Sequence, residues 1–77
     1  MVTAFVLMVV TPGSEEKVAA RLAKMKEVKD LGIVYGEYDI IAKVEVDSLD
    51  DLQKFILKIR NKIKEIERTS TMISVRA

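Results

Sequence analysis

The segment Val2–Val10 is the feature of this sequence that most restricts what the chain can fold into. β-Branched residues dominate it, and Thr11, Pro12 and Gly13 follow directly, which predicts a β-strand that ends there. Its side chains are apolar at both even and odd positions. Because successive side chains of a strand point to opposite faces, we expect both faces of this strand to be buried.

Two stretches with helical periodicity follow. Apolar residues recur at i, i+4 and i+7 over about residues 14–26, with Ser14 as the candidate N-cap. A second helix is predicted over about 48–62, where Ser48 precedes Asp51 in a pattern close to a capping box.

Three further strands are predicted. A weak strand over 27–35 is interrupted by Gly32, which indicates a bulge or a close backbone approach. The segment 38–46 alternates apolar and polar residues, and Gly36 marks a tight turn before it. A last strand starts near Glu65 and closes the chain.

The resulting order, βαββαβ, is that of an α+β, ferredoxin-like domain over residues 1–77. We expect a four-stranded antiparallel sheet with strands one and three central, strand four at an edge and both helices on one face. One face of strand one would then stay open and apolar. Such a face calls for a partner, most simply a second copy, so a dimer through the open sheet face is predicted.

Composition supports a partner and narrows the chemistry. A chain of 77 residues is marginal as an isolated domain, and 49% of its residues are hydrophobic. It has no cysteine and no histidine, so disulfides are excluded and structural zinc is disfavoured, which leaves oligomerisation as the support. Thiol nucleophiles and histidine bases are absent as well, and no cofactor is expected.

Charge and hydropathy limit the partners. The net charge of +1 argues against direct nucleic-acid binding. The longest apolar run, Ala4–Val10, is far shorter than a membrane span, and the N-terminus lacks the basic region of a signal peptide. Avoidance of cysteine fits the cytosol, so a cytoplasmic location without membrane contact is expected.

The turn at 35–39 is the most distinctive polar segment. It places two tyrosines and two carboxylates around a glycine, in the order Tyr35, Gly36, Glu37, Tyr38, Asp39. Gly36 is expected to adopt a positive φ or to allow a close approach. Carboxylates bind an ammonium group, and turn amides bind a carboxylate, so an amino acid would satisfy both. The alternative is an ordinary hairpin turn with tyrosines at its edge.

A second polar segment lies in the last strand. The hydroxyls of Thr69, Ser70 and Thr71 are candidates for completing a polar pocket, and the alternative is simple β-propensity. Arg76 is a candidate carboxylate partner, although a polar terminus is the preferred interpretation.

Other charged groups have simpler explanations. Basic stripes at positions 17, 21 and 24 and at 54, 58 and 62 are interpreted as solvated helix faces rather than phosphate contacts. Asp47, Asp50 and Asp51 suit the start of a helix, so a divalent-metal cluster is not favoured and no metal site is predicted.

Several of these segments together resemble the C-terminal effector-binding domain of the Lrp/AsnC regulators. The likeness lies in the first strand ending in Val-Val-Thr-Pro-Gly, in the segment Tyr-Gly-Glu-Tyr-Asp-Ile-Ile-Ala-Lys-Val and in the late Thr-Ser-Thr, and it covers essentially the whole chain. It implies sheet-to-sheet dimers that assemble into rings, commonly octamers, with amino-acid effectors held between dimers. The implied site positions are Gly36, Tyr38 and Asp39 with Tyr35 and Glu37 beside them, and Thr69 and Thr71 with Ser70 between them.

Regulators of this family usually carry an N-terminal helix-turn-helix domain, whereas this sequence starts at the first strand. The resemblance therefore predicts a stand-alone, non-enzymatic module that binds an amino acid or related effector, forms dimers and an octameric ring, and modulates transcription or amino-acid metabolism indirectly. Full-length family members are further candidate partners.

Two other functions stay open at this point. One is a small dimeric ferredoxin-like enzyme of the monooxygenase or isomerase type, with Tyr38 and Asp39 as its acid/base pair. The missing histidine weakens it, because histidine is the commonest general base. The other is a ligand-free adaptor that forms mixed rings with DNA-binding relatives.

Overall fold

Six elements follow one another in the order βαββαβ, as the periodicity predicts. The computed structural model describes residues 1–75, so Arg76 lies outside the described residues. The elements are β1 (Val2–Val10), α1 (Glu15–Ala23), β2 (Val28–Ile33), β3 (Ile40–Val46), α2 (Leu49–Lys62) and β4 (Ile66–Ile73). The predicted ferredoxin-like fold class is confirmed.

The strands form one antiparallel sheet in the order β2-β3-β1-β4. β1 and β3 are therefore central and β4 is an edge strand, as predicted. β1 pairs with β3 from Val2 opposite Val46 to Met8 opposite Ile40, and with β4 on its other side. Because β1 contacts a strand on both sides, its register positions most of the sheet.

The core lies between the sheet and the helices. The even-numbered residues of β1 from Ala4 to Val10 are buried, as are the even-numbered residues of β3 from Ile40 to Val46. They form one apolar cluster with residues of both helices, such as Leu22 of α1 and Ile59 of α2, which are 0% exposed. The two helices therefore cover the same face of the sheet.

The opposite side of the sheet is apolar at its centre. We call it the open face, and its central side chains are Phe5, Leu7, Val9, Ile41 and Met72, which the strand pairing places together. Phe5, Leu7, Val9 and Ile41 are half-buried, and Met72 is 54% exposed. Thus the two apolar sides of β1 differ in this single chain: the helices cover one, and none of the described elements covers the other.

Hydrogen bonds correct two details of the prediction. Ser48 caps α2 as expected, since its Oγ accepts from the Asp51 N–H at 3.1 Å. Ser14 does not cap α1 with its side chain, because its hydroxyl donates to the Thr11 carbonyl in the preceding turn. The helix itself is shorter than predicted and ends at Ala23, where the Lys24 N–H turns back to the Arg21 carbonyl.

Gly32 does not have the expected role. It pairs regularly with Ile41, and apart from Gly32 and its two chain neighbours no atom of the described chain lies within 4 Å of where its Cβ would be. The irregularity in β2 lies between Val28 and Asp30 instead. β2 also ends at Ile33 and β3 begins at Ile40, inside the predicted 27–35 and 38–46, because the turn between them extends further into both segments.

Two ion pairs connect the helices to the ends of strands. Lys17 of α1 lies 2.8 Å from Glu65, just before β4, and Lys58 of α2 lies 3.2 Å from Glu27, just before β2. The hydrogen bonds from Lys17 and from the backbone lower the pKa of Glu65 below its usual value. Burial raises the pKa of Glu27, but its backbone hydrogen bond and Lys58 outweigh that and lower the pKa overall.

These lowered pKa values predict acid sensitivity. Below the ordinary glutamate pKa of 4.5 the unfolded chain takes up protons before the folded chain does, so the free energy of unfolding should fall as the pH drops through the folded-state values. Lys17→Met should flatten this decline, because it removes the hydrogen bond that lowers the pKa of Glu65. Urea unfolding at neutral pH and at pH ~3 measures the effect.

Lys24→Met is the matched control, because Lys24 is exposed and forms no ion pair within residues 1–75. It should keep the wild-type pH dependence. An identical decline in wild type and Lys17→Met would contradict the role given to the Lys17–Glu65 pair.

Candidate functional site

The turn at 35–39 joins β2 to β3 at the end of the sheet where β1 finishes. Gly36 has a φ of 125°, so the expected positive φ is confirmed. The Val34 N–H donates to the Asp39 carbonyl at 2.8 Å and closes the turn. Tyr35 is 105% exposed, and Glu37 is exposed as well. These two candidate residues therefore project from the surface of the single chain.

Asp39 ties the turn to β1. Its Oδ2 accepts from the Val10 N–H at 2.9 Å, and its own N–H donates to the Met8 carbonyl at 2.8 Å. Val10 is the last residue of β1, so the carboxylate satisfies a backbone donor near the end of the sheet. The other oxygen, Oδ1, accepts no hydrogen bond from residues 1–75 and remains able to accept from a ligand.

Tyr38 lies beside a residue that the sequence did not point to. The guanidinium carbon of Arg68 is 6.0 Å from the centre of the Tyr38 ring, within cation–π range. Arg68 belongs to β4 and pairs with Val9. The predicted strand order already placed strand four beside strand one, but only the register shows which residue of strand four reaches the turn.

The three hydroxyls of β4 separate across the sheet. Thr69, Ser70 and Thr71 lie opposite Met8, Leu7 and Val6 in turn. Ser70 therefore shares the open face with Leu7, whereas Thr69 and Thr71 lie on the helix side.

Thr69 is the closest of these three hydroxyl residues to the turn, because it lies opposite Met8, whose carbonyl accepts from the Asp39 N–H on the other side of β1. Two strand spacings separate the Thr69 and Asp39 backbones by roughly 10 Å. The structure thus brings Tyr38, Asp39, Arg68 and Thr69 to one end of the sheet, and places Ser70 and Thr71 further along β4.

Two concavities of the described chain lie away from this turn. The larger, of about 610 Å³, lies at the opposite end of the sheet, around Phe55 and the Lys58–Glu27 pair. The smaller, of about 320 Å³, lies on the open face next to Phe5, Gly32 and Ile41. Since small-molecule sites are concave, a ligand at the turn would need a second surface to enclose it.

Two of the three acidic residues near the start of α2 make local contacts. Asp50 lies 3.5 Å from Lys54, and the Asp51 N–H is bound by Ser48. Among residues 1–75, no three histidine, cysteine, aspartate or glutamate side chains are placed to hold a metal ion. In the same part of the chain, no helix has the length and apolar character needed to cross a membrane.

Sequence and fold together match a family of regulator domains. The model of the Lrp/AsnC ligand binding domain matches residues 3–77, so the chain belongs to this family. The resemblance predicted from the hairpin and the first strand is confirmed.

Individual relatives agree with this assignment. An uncharacterised HTH-type transcriptional regulator of Pyrococcus horikoshii, PH0140, is 40% identical over 72 residues, which are 94% of this chain and 46% of that protein. The chain thus spans about half the length of the curated relatives it matches. The crystal structure of the hypothetical protein PHS023 from the same organism is 52% identical, with a TM-score of 0.91 over 100% of this chain and 93% of that one.

A more distant structure shows the same fold. The transcriptional regulator NMB0573 of Neisseria meningitidis, solved as a complex with L-Met, is 17% identical, with a TM-score of 0.87 over 97% of this chain and 50% of that one. At this identity the likeness concerns the fold alone.

The position of Asp39 predicts a difference between two substitutions. Asp39→Ala leaves the Val10 N–H without its acceptor and should lower the free energy of unfolding by about 1–3 kcal/mol. Asp39→Asn keeps a side-chain oxygen for that hydrogen bond and should cost clearly less. Urea unfolding of both variants measures the difference.

Glu37→Ala serves as the control in the same turn, because Glu37 is exposed and makes no hydrogen bond within the described residues. Its effect should stay within about 0.5 kcal/mol. Equal destabilisation by Asp39→Ala and Asp39→Asn would show that the hydrogen bond to Val10 does not anchor the turn.

Proposed function

We propose that this chain is a self-assembling module that binds an amino acid or a related small effector at the turn and adjusts transcription or amino-acid metabolism indirectly. The observation that carries the proposal is the state of Asp39. One of its oxygens is fixed by the Val10 N–H, and the other is free to accept from a ligand. Membership of a ligand-binding family supports the same function.

The proposed ligand contacts follow from the chemistry of the turn. Asp39 Oδ1 accepts from the ammonium group, and exposed N–H groups of the turn or the Thr69 hydroxyl bind the carboxylate. Tyr38 forms a wall of the site, and Tyr35 and Glu37 extend towards a neighbouring subunit. Ser70 and Thr71, further along β4, would contribute only where that neighbour reaches them. The Neisseria regulator, which contains the same fold, was solved as a complex with L-Met, and this supports an amino acid as the class of ligand.

Assembly is proposed to complete the site. A second copy on the open face would cover Phe5, Leu7 and Ile41 and give the first dimer. Pairing of dimers into a ring, up to an octamer, would supply the enclosing surface that the turn lacks in the single chain. Full-length HTH regulators are further proposed partners, because the relatives of this chain are HTH-type transcriptional regulators.

The enzyme alternative has less support. The relatives of this chain are transcriptional regulators, and the family to which it belongs is a ligand-binding domain of regulators. Asp39, one member of the acid/base pair in that hypothesis, is held by a backbone N–H, and neither of the two concavities described above contains it or Tyr38. We therefore propose a binding function without catalysis, and the ligand-free adaptor becomes one outcome of the binding test.

Binding is tested by thermal shift against the standard amino acids. A ligand at ~100 times its dissociation constant should add roughly 2.7 kcal/mol to the free energy of unfolding. Asp39→Asn should lose this response, because it keeps the bond to Val10 but removes the charge that attracts the ammonium group. Asp47→Asn, an exposed aspartate at the opposite end of the sheet, is the matched control and should respond like wild type.

A wild-type chain that responds to no amino acid would favour the ligand-free adaptor. A full thermal shift in Asp39→Asn would show that the ligand does not bind at the turn.

The dimer is tested by introducing a charge on the open face. Leu7→Lys places an ammonium group where a second copy should pack, and sedimentation at micromolar concentration should detect dissociation to a folded monomer. Leu57→Lys is the matched control, because Leu57 is 54% exposed on α2 and should leave the dimer intact. Retention of the dimer by Leu7→Lys would exclude the open face as the interface.

A further inference from the structure

Arg68 is a cation without a partner charge at the same end of the sheet as the turn. Three ion pairs are present among residues 1–75, and none of them involves Arg68. Its one described side-chain contact is with the Tyr38 ring, 6.0 Å from the guanidinium carbon. A guanidinium stacked on a ring keeps its in-plane N–H donors available.

A β-bulge fixes the position of Arg68. Val9 pairs with Arg68, whereas the next residue, Val10, pairs with Ile66, so Glu67 is an extra residue in β4. Ile66 is 7% exposed and belongs to the core, and Arg68 shares the open side with Val9. Bulges are frequent next to binding sites, where they redirect a side chain. Because of the bulge, Ile66 faces the core, whereas Arg68, two residues later, lies on the open side.

Arg68 and Asp39 flank the end of β1 from opposite sides. Asp39 reaches the Val10 N–H from the β3 side, and Arg68 lies opposite Val9 on the β4 side. Tyr38 contacts Arg68 and directly precedes Asp39. A negative and a positive group are thus held at one end of the sheet, separated by the last two residues of β1.

We propose that Arg68 is a specificity-determining residue that receives the carboxylate of the effector while Asp39 receives its ammonium group. The planar fork of a guanidinium matches a carboxylate with two parallel hydrogen bonds. This assignment rests on the proposed function and deepens it: the site selects a zwitterion and rejects an amine that lacks the carboxylate. Turn amides then assist Arg68 and do not replace it.

The test compares an amino acid with its carboxamide. L-Methionine and L-methioninamide share the side chain and the amino group, and only the first carries a carboxylate. By calorimetric titration, wild type should bind the acid at least about tenfold more tightly than the amide. Arg68→Gln should lose that preference by weakening the acid alone, and Arg68→Lys should keep part of it. If another amino acid binds the wild type more tightly than L-methionine does, that amino acid and its carboxamide replace the methionine pair in the titration.

Arg60→Gln is the matched control, because Arg60 is an exposed arginine on α2, and it should keep the wild-type preference. Circular dichroism shows whether each variant is folded. An unchanged preference in Arg68→Gln would overturn this assignment and leave the proposed function standing. Failure of wild type to bind any standard amino acid would overturn the proposed function, and this assignment with it.

Discussion

The structure depends on β1, a central strand that is apolar on both faces and hydrogen-bonded on both edges. Its even-numbered side chains pack into the core against the helices, and its odd-numbered side chains form the centre of the open face. Because β1 pairs with β3 on one side and with β4 on the other, the positions of both strands are defined relative to β1. The positions of β3, β4 and the turn before β3 all follow from this pairing.

The end of β1 positions the charged residues of the proposed effector site. The Met8 carbonyl and the Val10 N–H hold Asp39, and Val9 lies opposite Arg68. The charged groups are therefore positioned by the backbone of the central strand rather than by flexible neighbours. Since neither of the two concavities described above includes the turn, a ligand at the proposed site would need a second surface to enclose it, which the proposed assembly would supply.

Local patterns were readable from the sequence. The bounds of β1, the alternation of β3 and the cap at Ser48 each involve residues close together in the chain, and all three predictions are confirmed. So is the positive φ of Gly36, since few other residues tolerate that conformation. The order of elements then restricts the topology to the observed sheet.

Contacts between distant segments were not readable. The bond from Val10 to Asp39 spans 29 positions, and the contact of Tyr38 with Arg68 depends on a bulge that inserts Glu67. A shift of one residue in register moves a side chain to the other face, so composition does not reveal which polar residue of β4 meets the turn. For the same reason the prediction grouped three hydroxyls that the structure divides between two faces.

The apolar residues on both faces of β1 predicted a partner on the open face. The periodicity of the sequence does not say which partner covers that face. Native mass spectrometry, with and without a mixture of amino acids, tests the central claim most directly because it counts subunits and detects retained ligand together. The proposed binding function predicts even-numbered assemblies of the 8.7 kDa chain that gain the mass of an amino acid in the mixture. A monomer that retains no added mass would contradict it.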